Sequence, residues 1–208
     1  MAPNDLWQAK YAPRFAQLRA EEEARREQAF LSLPITVCGE ELRPMTAQDL
    51  LVLNGINSPF VCPTEVGAVE LAMFLWILNV KNDGTQGWWN MRRRHKMFQR
   101  IGPLNFEEAV QECNAYVEGV FQDAPKGSGG SGGSEGRRPL GTCFLVPLVM
   151  RIAKETGWER DVILNTPLAQ LFQYLKYIQA QAQGKDFNDW SPSDTITNEF
   201  LCELNASR

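Results

Sequence analysis

Glu65–Val80, EVGAVELAMFLWILNV, decides the fold. From Val66 onward apolar residues fill almost every position, interrupted only by Gly67, Glu70 and Asn79. A helix that is hydrophobic on all sides has no face to offer water, so it belongs at the centre of a core. The run is shorter than the roughly 20 apolar residues needed to cross about 30 Å of hydrocarbon. It reads as a buried core helix and not as a membrane span, with Thr64 as its expected N-cap.

The elements around this segment read as a shell for it. On the N-terminal side, Thr46 with Asp49 three residues on forms a capping-box-like start before LLVL. Asn54-Gly55 supplies the stop, and the loop INSPFVCP follows. Before that helix, LPITVCGEELRP predicts a short β-hairpin, with Ile35 and Val37 as strand residues and a turn at Cys38-Gly39-Glu40. Further back, Asn4–Phe30 predicts a helix, capped by Asn4 or Asp5, whose second half LRAEEEARREQAF is charged nearly all round. Such a helix is either a solvated arm or one that finds its apolar contacts on another chain.

On the C-terminal side, Asn82-Asp83-Gly84 marks a turn, and a helix is expected over Trp88–Arg100, stopped by Gly102-Pro103. Asn105 caps the next helix, whose stripe is Phe106, Ala109, Val110, Cys113, Val117, Val120 and Phe121. Lys126–Arg138, KGSGGSGGSEGRR, reads as a flexible linker, either a natural low-complexity loop or an engineered replacement. A coil of that length spans roughly 20 Å on average. Beyond it, helices are expected over Leu140–Thr156 with Pro147 at its start or at a kink, over Trp158–Leu164, and from Thr166-Pro167 to Gly184. The third of these carries Leu168, Leu171, Phe172, Leu175 and Ile178 on one face. A last helix is expected from Ser191 to about Leu204.

The fold class is therefore mainly α, a multi-helix bundle with one small β-hairpin near the N-terminus. Four stretches follow from composition: a helical arm at 1–30, a helical core with the hairpin at 31–125, the linker at 126–138, and a C-terminal helical part at 139–208. The last part can share the core of the second, because a coil of that length bridges neighbouring helices.

A hydrophobic fraction of 44% and a charged fraction of 22% sit near globular averages. A chain of this length buries roughly 70% of its unfolded surface, so it needs no staples to hold a core. The five cysteines, Cys38, Cys62, Cys113, Cys143 and Cys202, form no C-x-x-C pair and read as reduced thiols. Met1–Lys10 lacks a basic start followed by an apolar stretch, so no signal peptide is expected. A net charge of −4 favours solubility and disfavours nucleic acid as the main partner.

Catalytic signatures are missing from the sequence. The single histidine, His95, sits in the run Arg92-Arg93-Arg94-His95-Lys96, and no G-x-S-x-G accompanies it. One histidine and scattered cysteines give no zinc-ligand spacing, and Glu21–Glu23 and Glu40-Glu41 lack the pattern of a calcium loop. Gly127–Gly136 has no G-K-[ST] ending and no preceding strand, so it is no phosphate cradle. No cofactor or metal is expected, and the chain reads as a non-enzyme.

The stretch WWNMRRRHK holds the most distinctive chemistry. Trp88, Trp89, Arg92, Arg93, Arg94 and Lys96 form the candidate partner-binding surface, because Trp and Arg dominate interface hot spots. Stacked bases with a phosphate backbone are one occupant of such a surface, and an acidic protein is the better one. Closure of the core by Trp88 and Trp89 is the bland alternative. TGWERDVILNTPLAQLFQYLKYI, residues 156–178, has the outline of a helix-turn-helix unit, but its second helix carries only Lys176 as a cation. Its broad apolar face points to packing and away from base reading.

GEELRPMTAQDLLVLNGINSPFV (residues 39–61), followed by the AMFLWIL helix, and TGWERDVILNTPLAQLFQYLKYI together resemble phage morphogenesis proteins. The second segment is similar to the back half of small helical proteins from phage tail gene clusters, including tail assembly chaperones. The likeness covers about a third of the chain and lies in helix-packing rhythm. It implies a non-enzymatic tail assembly role, binding tail or tape-measure proteins in the host cytoplasm, and it carries no catalytic residues over. The chain is longer than many such chaperones, which leaves room for a virion structural subunit such as a connector or tail component, with self-association. A nucleic-acid binder using Trp88–Lys96 is the third reading.

Overall fold

A computed structural model of the chain describes residues 10–82, 84–124, 144–182 and 184. The Asn4 or Asp5 cap, the turn residue Asp83, the 126–138 linker and the Ser191–Leu204 helix lie outside the described residues. Among the described residues there are eight α-helices and one antiparallel hairpin, so the chain is mostly helical as its sequence implies. None of these helices is long and apolar enough to cross a membrane. The chain divides into two units, Ser32–Lys176 and a second made of Met1–Leu31 with Tyr177–Arg208. The dividing points do not fall at the Gly/Ser stretch.

In the larger unit, α3 (Ala68–Leu78) is the central element. Leu71, Ala72, Phe74, Leu75, Trp76, Ile77 and Leu78 are all buried, which covers every side of the helix at 100° per residue. Its start falls later than the sequence suggests. Gly67 occupies the N-cap without a side-chain bond, while the Thr64 hydroxyl donates to the Asn57 carbonyl. Asn79 leaves the helix in extended conformation and bridges to Leu42.

That exit ties α3 to the hairpin. Strands β1 (Ile35–Val37) and β2 (Glu40–Leu42) pair with Val37 opposite Glu40, so Cys38-Gly39 forms the two-residue turn. Both turn residues have positive φ, 53° and 74°, as tight hairpin turns require. On the far side of β2, Arg43 N donates to Leu78 O and Val80 N to Glu41 O, extending the pairing onto the end of α3.

Helix α2 (Ala47–Gly55) packs on α3 and begins with the expected capping box. Asp49 N donates to Thr46 Oγ1 at 3.1 Å, and Thr46 N donates back to Asp49 Oδ2 at 3.1 Å. The other oxygen of Asp49 accepts from Arg43 Nη2 at 2.7 Å, and Arg43 Nη1 donates to the carbonyls of Asn79 and Asn82. The residue that takes positive φ after α2 is Asn57, at 53°, and not Gly55.

Helix α4 (Met91–Ile101) and helix α5 (Phe106–Phe121) continue the shell. Asn105 caps α5 as expected, accepting from Glu107 N. The buried residues of α5 are Ala109, Cys113, Tyr116 and Val117, whereas Phe106 is exposed. The stripe therefore starts one turn later than the sequence pattern places it and includes Tyr116, whose hydroxyl donates to Arg43 O at 2.6 Å.

After residue 143 come α6 (Leu145–Thr156), α7 (Arg160–Asn165) and α8 (Leu168–Ala182). Pro147 falls in the first turn of α6, where its missing N–H costs nothing. Gly157 ends α6 in the left-handed region at φ 72°. Thr166 is not the cap of α8: its hydroxyl turns back to Val162 O, and Pro167 O accepts the first bond of the new helix from Leu171 N. Leu168 N donates to Met45 O, seating the start of α8 beside α2. Phe121 of α5, Phe144 and Phe172 of α8 form a ring cluster with centroids 5.9–6.3 Å apart, so residues on both sides of the Gly/Ser stretch share one core.

In the smaller unit, α1 (Ala12–Leu31) carries i,i+4 pairs, Gln17–Glu21, Arg19–Glu23 and Glu22–Arg26. Such spacing stabilises a helix that has few apolar anchors. Glu22 is nonetheless buried, so α1 is not a solvated arm along its whole length.

Removing a carboxylate that is buried and paired leaves its cation without compensation. Asp49→Ala is expected to lower unfolding free energy by about 3 kcal/mol. The exposed neighbour Glu41→Ala should change it by less than about 0.5 kcal/mol. Urea titration of both variants checks the contrast.

Candidate functional site

The helix α4 begins at Met91, with Asn90 as N-cap. The Asn90 side chain accepts from Arg92 N at 3.1 Å and from Arg93 N at 3.3 Å. Trp88 and Trp89 therefore precede the helix, in the turn that follows α3, and do not belong to it. This shift decides their fates. Trp88 is only 3% exposed, packed edge-on against Trp76 at 5.9 Å and near Phe98 at 6.4 Å. It packs in the core. Trp89 points the other way and is 77% exposed.

The turn itself is fixed from beneath. Trp76 Nε1 donates to Gln86 O at 3.2 Å, and Gly87 adopts φ 75°. The Arg93 guanidinium folds back over that glycine, with Nη1 2.8 Å from the point a Cβ would occupy. Trp89 thus follows a turn bonded to the Trp76 indole, with the buried Trp88 ring beside it.

Within α4, Met97 and Ile101 are buried, with Arg94 and Phe98 half-buried on the same stripe. Met91 lies on that stripe by helical period, yet the first turn projects past the core and leaves it 74% exposed. The opposite row, Arg92, His95, Lys96 and Gln99, faces solvent, with Gln99 Nε2 3.0 Å from His95 Nε2. Arg100 leaves the row and pairs with the buried Glu40 at 2.9 Å, alongside Asn79 Nδ2 at 2.7 Å.

Of the residues singled out in the sequence, Trp89, Arg92, Arg93 and Lys96 come together on one surface, Arg94 sits at its edge, and Trp88 supports it from inside. Met91 is the member that sequence reading missed. Its position one turn before Arg94 marks it as core, and only the place where the core ends makes it surface.

A second cluster involves thiols. Cys38 Sγ donates to Ala109 O at 3.5 Å and its backbone N donates to Glu112 Oε2 at 2.6 Å, with the buried Cys113 on the same helix as Ala109 and Glu112. Burial, reinforced by the Glu112 carboxylate, pushes the Cys38 thiol up to about 11. Burial raises Cys113 further still. Both are thereby kept as thiols, which makes them poor nucleophiles and structural packing groups. Among the described residues no group of three His, Cys, Asp or Glu side chains is placed to hold a metal.

Trp88→Ala is expected to cost about 3–5 kcal/mol of stability, the range for truncating a buried aromatic residue. Trp89→Ala should cost less than about 0.5 kcal/mol. Thermal melts of the two variants distinguish them directly. The Cys38 contribution is fully present below pH 9, the thiol's ordinary value, and is lost as pH rises through 9 toward 11. The gap in urea midpoint between the parent chain and Cys38→Ser should accordingly narrow between pH 8.5 and 11, and a constant gap would contradict the assignment.

No known protein family, curated protein or solved structure matches this chain.

Proposed function

We propose that this chain is a non-enzymatic binding protein of phage tail assembly, which holds a tail or tape-measure protein through the surface formed by Trp89 and α4. The observation that carries the proposal is the pair Trp89 and Met91, the two most exposed large apolar side chains among the described residues, set beside Arg92, Arg93 and Lys96. Isolated apolar residues on a surface are ordinary. An exposed Trp with a neighbouring Met and several Arg has the composition of an interface hot spot.

Support for the tail-assembly part comes from the two helix-packing segments at residues 39–61 and 156–178, whose rhythm resembles that of tail assembly chaperones. Residues 39–61 and 156–176 belong to the larger unit and contribute none of the residues of the α4 surface. Remaining in the finished particle as a tail component is the alternative within the same class.

Capture of the tagged full-length chain from phage-producing cells, with mass spectrometry of the bound proteins, tests the proposal. A tape-measure or tail protein should be retained by the parent chain and reduced at least tenfold by Trp89→Ala with Arg92→Glu. Capture of no viral protein, or equal capture by the variant, would overturn it.

A further inference from the structure

The Lys and Arg side chains of the larger unit fall into two groups, and most of those on α4 belong to the group with no carboxylate within 4 Å among the described residues. Arg43, Arg100 and Lys176 each reach a carboxylate within 4 Å. Arg92, Arg93, Arg94 and Lys96 reach none among the described residues, although the chain holds 25 Asp and Glu. Three of the four also sit in the first turn of their helix, which has no acidic residue. The positive end of the helix dipole repels cations there, at a cost typically of a few tenths of a kcal/mol each. Among the described residues these charges have no carboxylate partner where their own helix disfavours them, and an external carboxylate relieves both penalties at once.

Reach and spacing describe that carboxylate's carrier. Arg92 and Lys96 are one helical turn apart on the outer row, with His95 between them and Gln99 a turn further on. Carboxylates four residues apart on a second helix match this row, because they too stand about 6 Å apart. At the N-terminal end of the row, Trp89 and Met91 offer an apolar seat. Elsewhere the chain is strongly acidic: its net charge is −4 although α4 alone carries five positive side chains and no carboxylate. A long polyanion reaching past α4 meets that repulsion, which acts over roughly 8–10 Å at physiological salt. A short acidic segment confined to α4 does not.

We infer that the face made by Trp89, Met91, Arg92, His95 and Lys96 docks an acidic amphipathic helix of a partner protein, with its carboxylates along Arg92–Lys96 and an apolar side chain on Trp89 and Met91. The inference rests on the binding role proposed above and specifies the chemistry of the bound segment. The contact is about two and a half turns long, since ten residues of α4 rise roughly 14 Å.

Fluorescence anisotropy with the full chain tests it. The probe is a labelled 15-residue helical peptide with Glu at i, i+4 and i+8 and a Leu on the same face one turn earlier. Comparators are its scrambled isomer and a 20-nucleotide single-stranded DNA. The expected result is saturable binding of the acidic helix, at least tenfold tighter than either comparator. It should weaken at least tenfold in Arg92→Glu/Lys96→Glu and about tenfold in Trp89→Ala, with circular dichroism unchanged. The peptide itself should bind more weakly at 200 mM than at 50 mM salt. Equal binding of the scrambled peptide, tighter binding of the DNA, or insensitivity to the charge reversal would overturn the inference. If α4-dependent capture of a tail protein persists while the peptide fails, the acidic-helix chemistry falls and the binding role stands. If the peptide binds and the captured protein ignores α4, the binding role falls.

Discussion

Burial of α3 on every side is the constraint on which the larger unit depends. Leu71–Leu78 can be kept from water only if other elements cover all sides of one helix, and no single partner helix can do that. The hairpin, α2 and α4 close around it, and each arrives by a specific polar fixture. Arg43 illustrates how this is managed. Its guanidinium answers the carboxylate of the α2 capping box and the carbonyls that α3 leaves open at its end, while its own carbonyl is answered by Tyr116 of α5. Burial supplies most of the energy, and these bonds select one arrangement of helices over others.

The candidate surface follows from the same constraint. Trp76 is buried in α3 and grips the turn through its indole N–H. Trp88 is then drawn inward against it, so its neighbour Trp89 is directed outward. The α4 helix starts two residues later, and its inner stripe reaches the core only from Arg94 onward. The outcome is a first turn with an exposed Met and arginines that have no carboxylate partner among the described residues. Its exposure is a geometric consequence of a well-packed interior.

Much of this was legible in the sequence, for identifiable reasons. The all-round apolar run, the Thr46–Asp49 capping box, Asn105 and the α8 stripe of Leu168, Leu171, Phe172 and Leu175 are local signals, and tertiary packing had no cause to override them. The two misplaced helix caps share one cause, which is competition for a hydroxyl by a backbone carbonyl distant in sequence or in the preceding turn. Thr64 gives its hydroxyl to Asn57, and Thr166 gives its own to Val162, so neither caps the helix it precedes. The fates of Trp88 and Trp89 could not be separated by composition, since adjacent residues of one type carry the same propensity. The contact with Trp76, twelve residues earlier, divides them.

The central claim is that Trp89 stands outside the fold in order to meet another protein. Site-specific photo-crosslinking in phage-producing cells addresses it most directly, with a benzoylphenylalanine placed in turn at position 89 and at position 150, where Met150 is similarly exposed on α6. The account requires a crosslink to a tail or tape-measure protein from position 89 and none from position 150. A crosslink from position 150 alone, or from neither position, would contradict it.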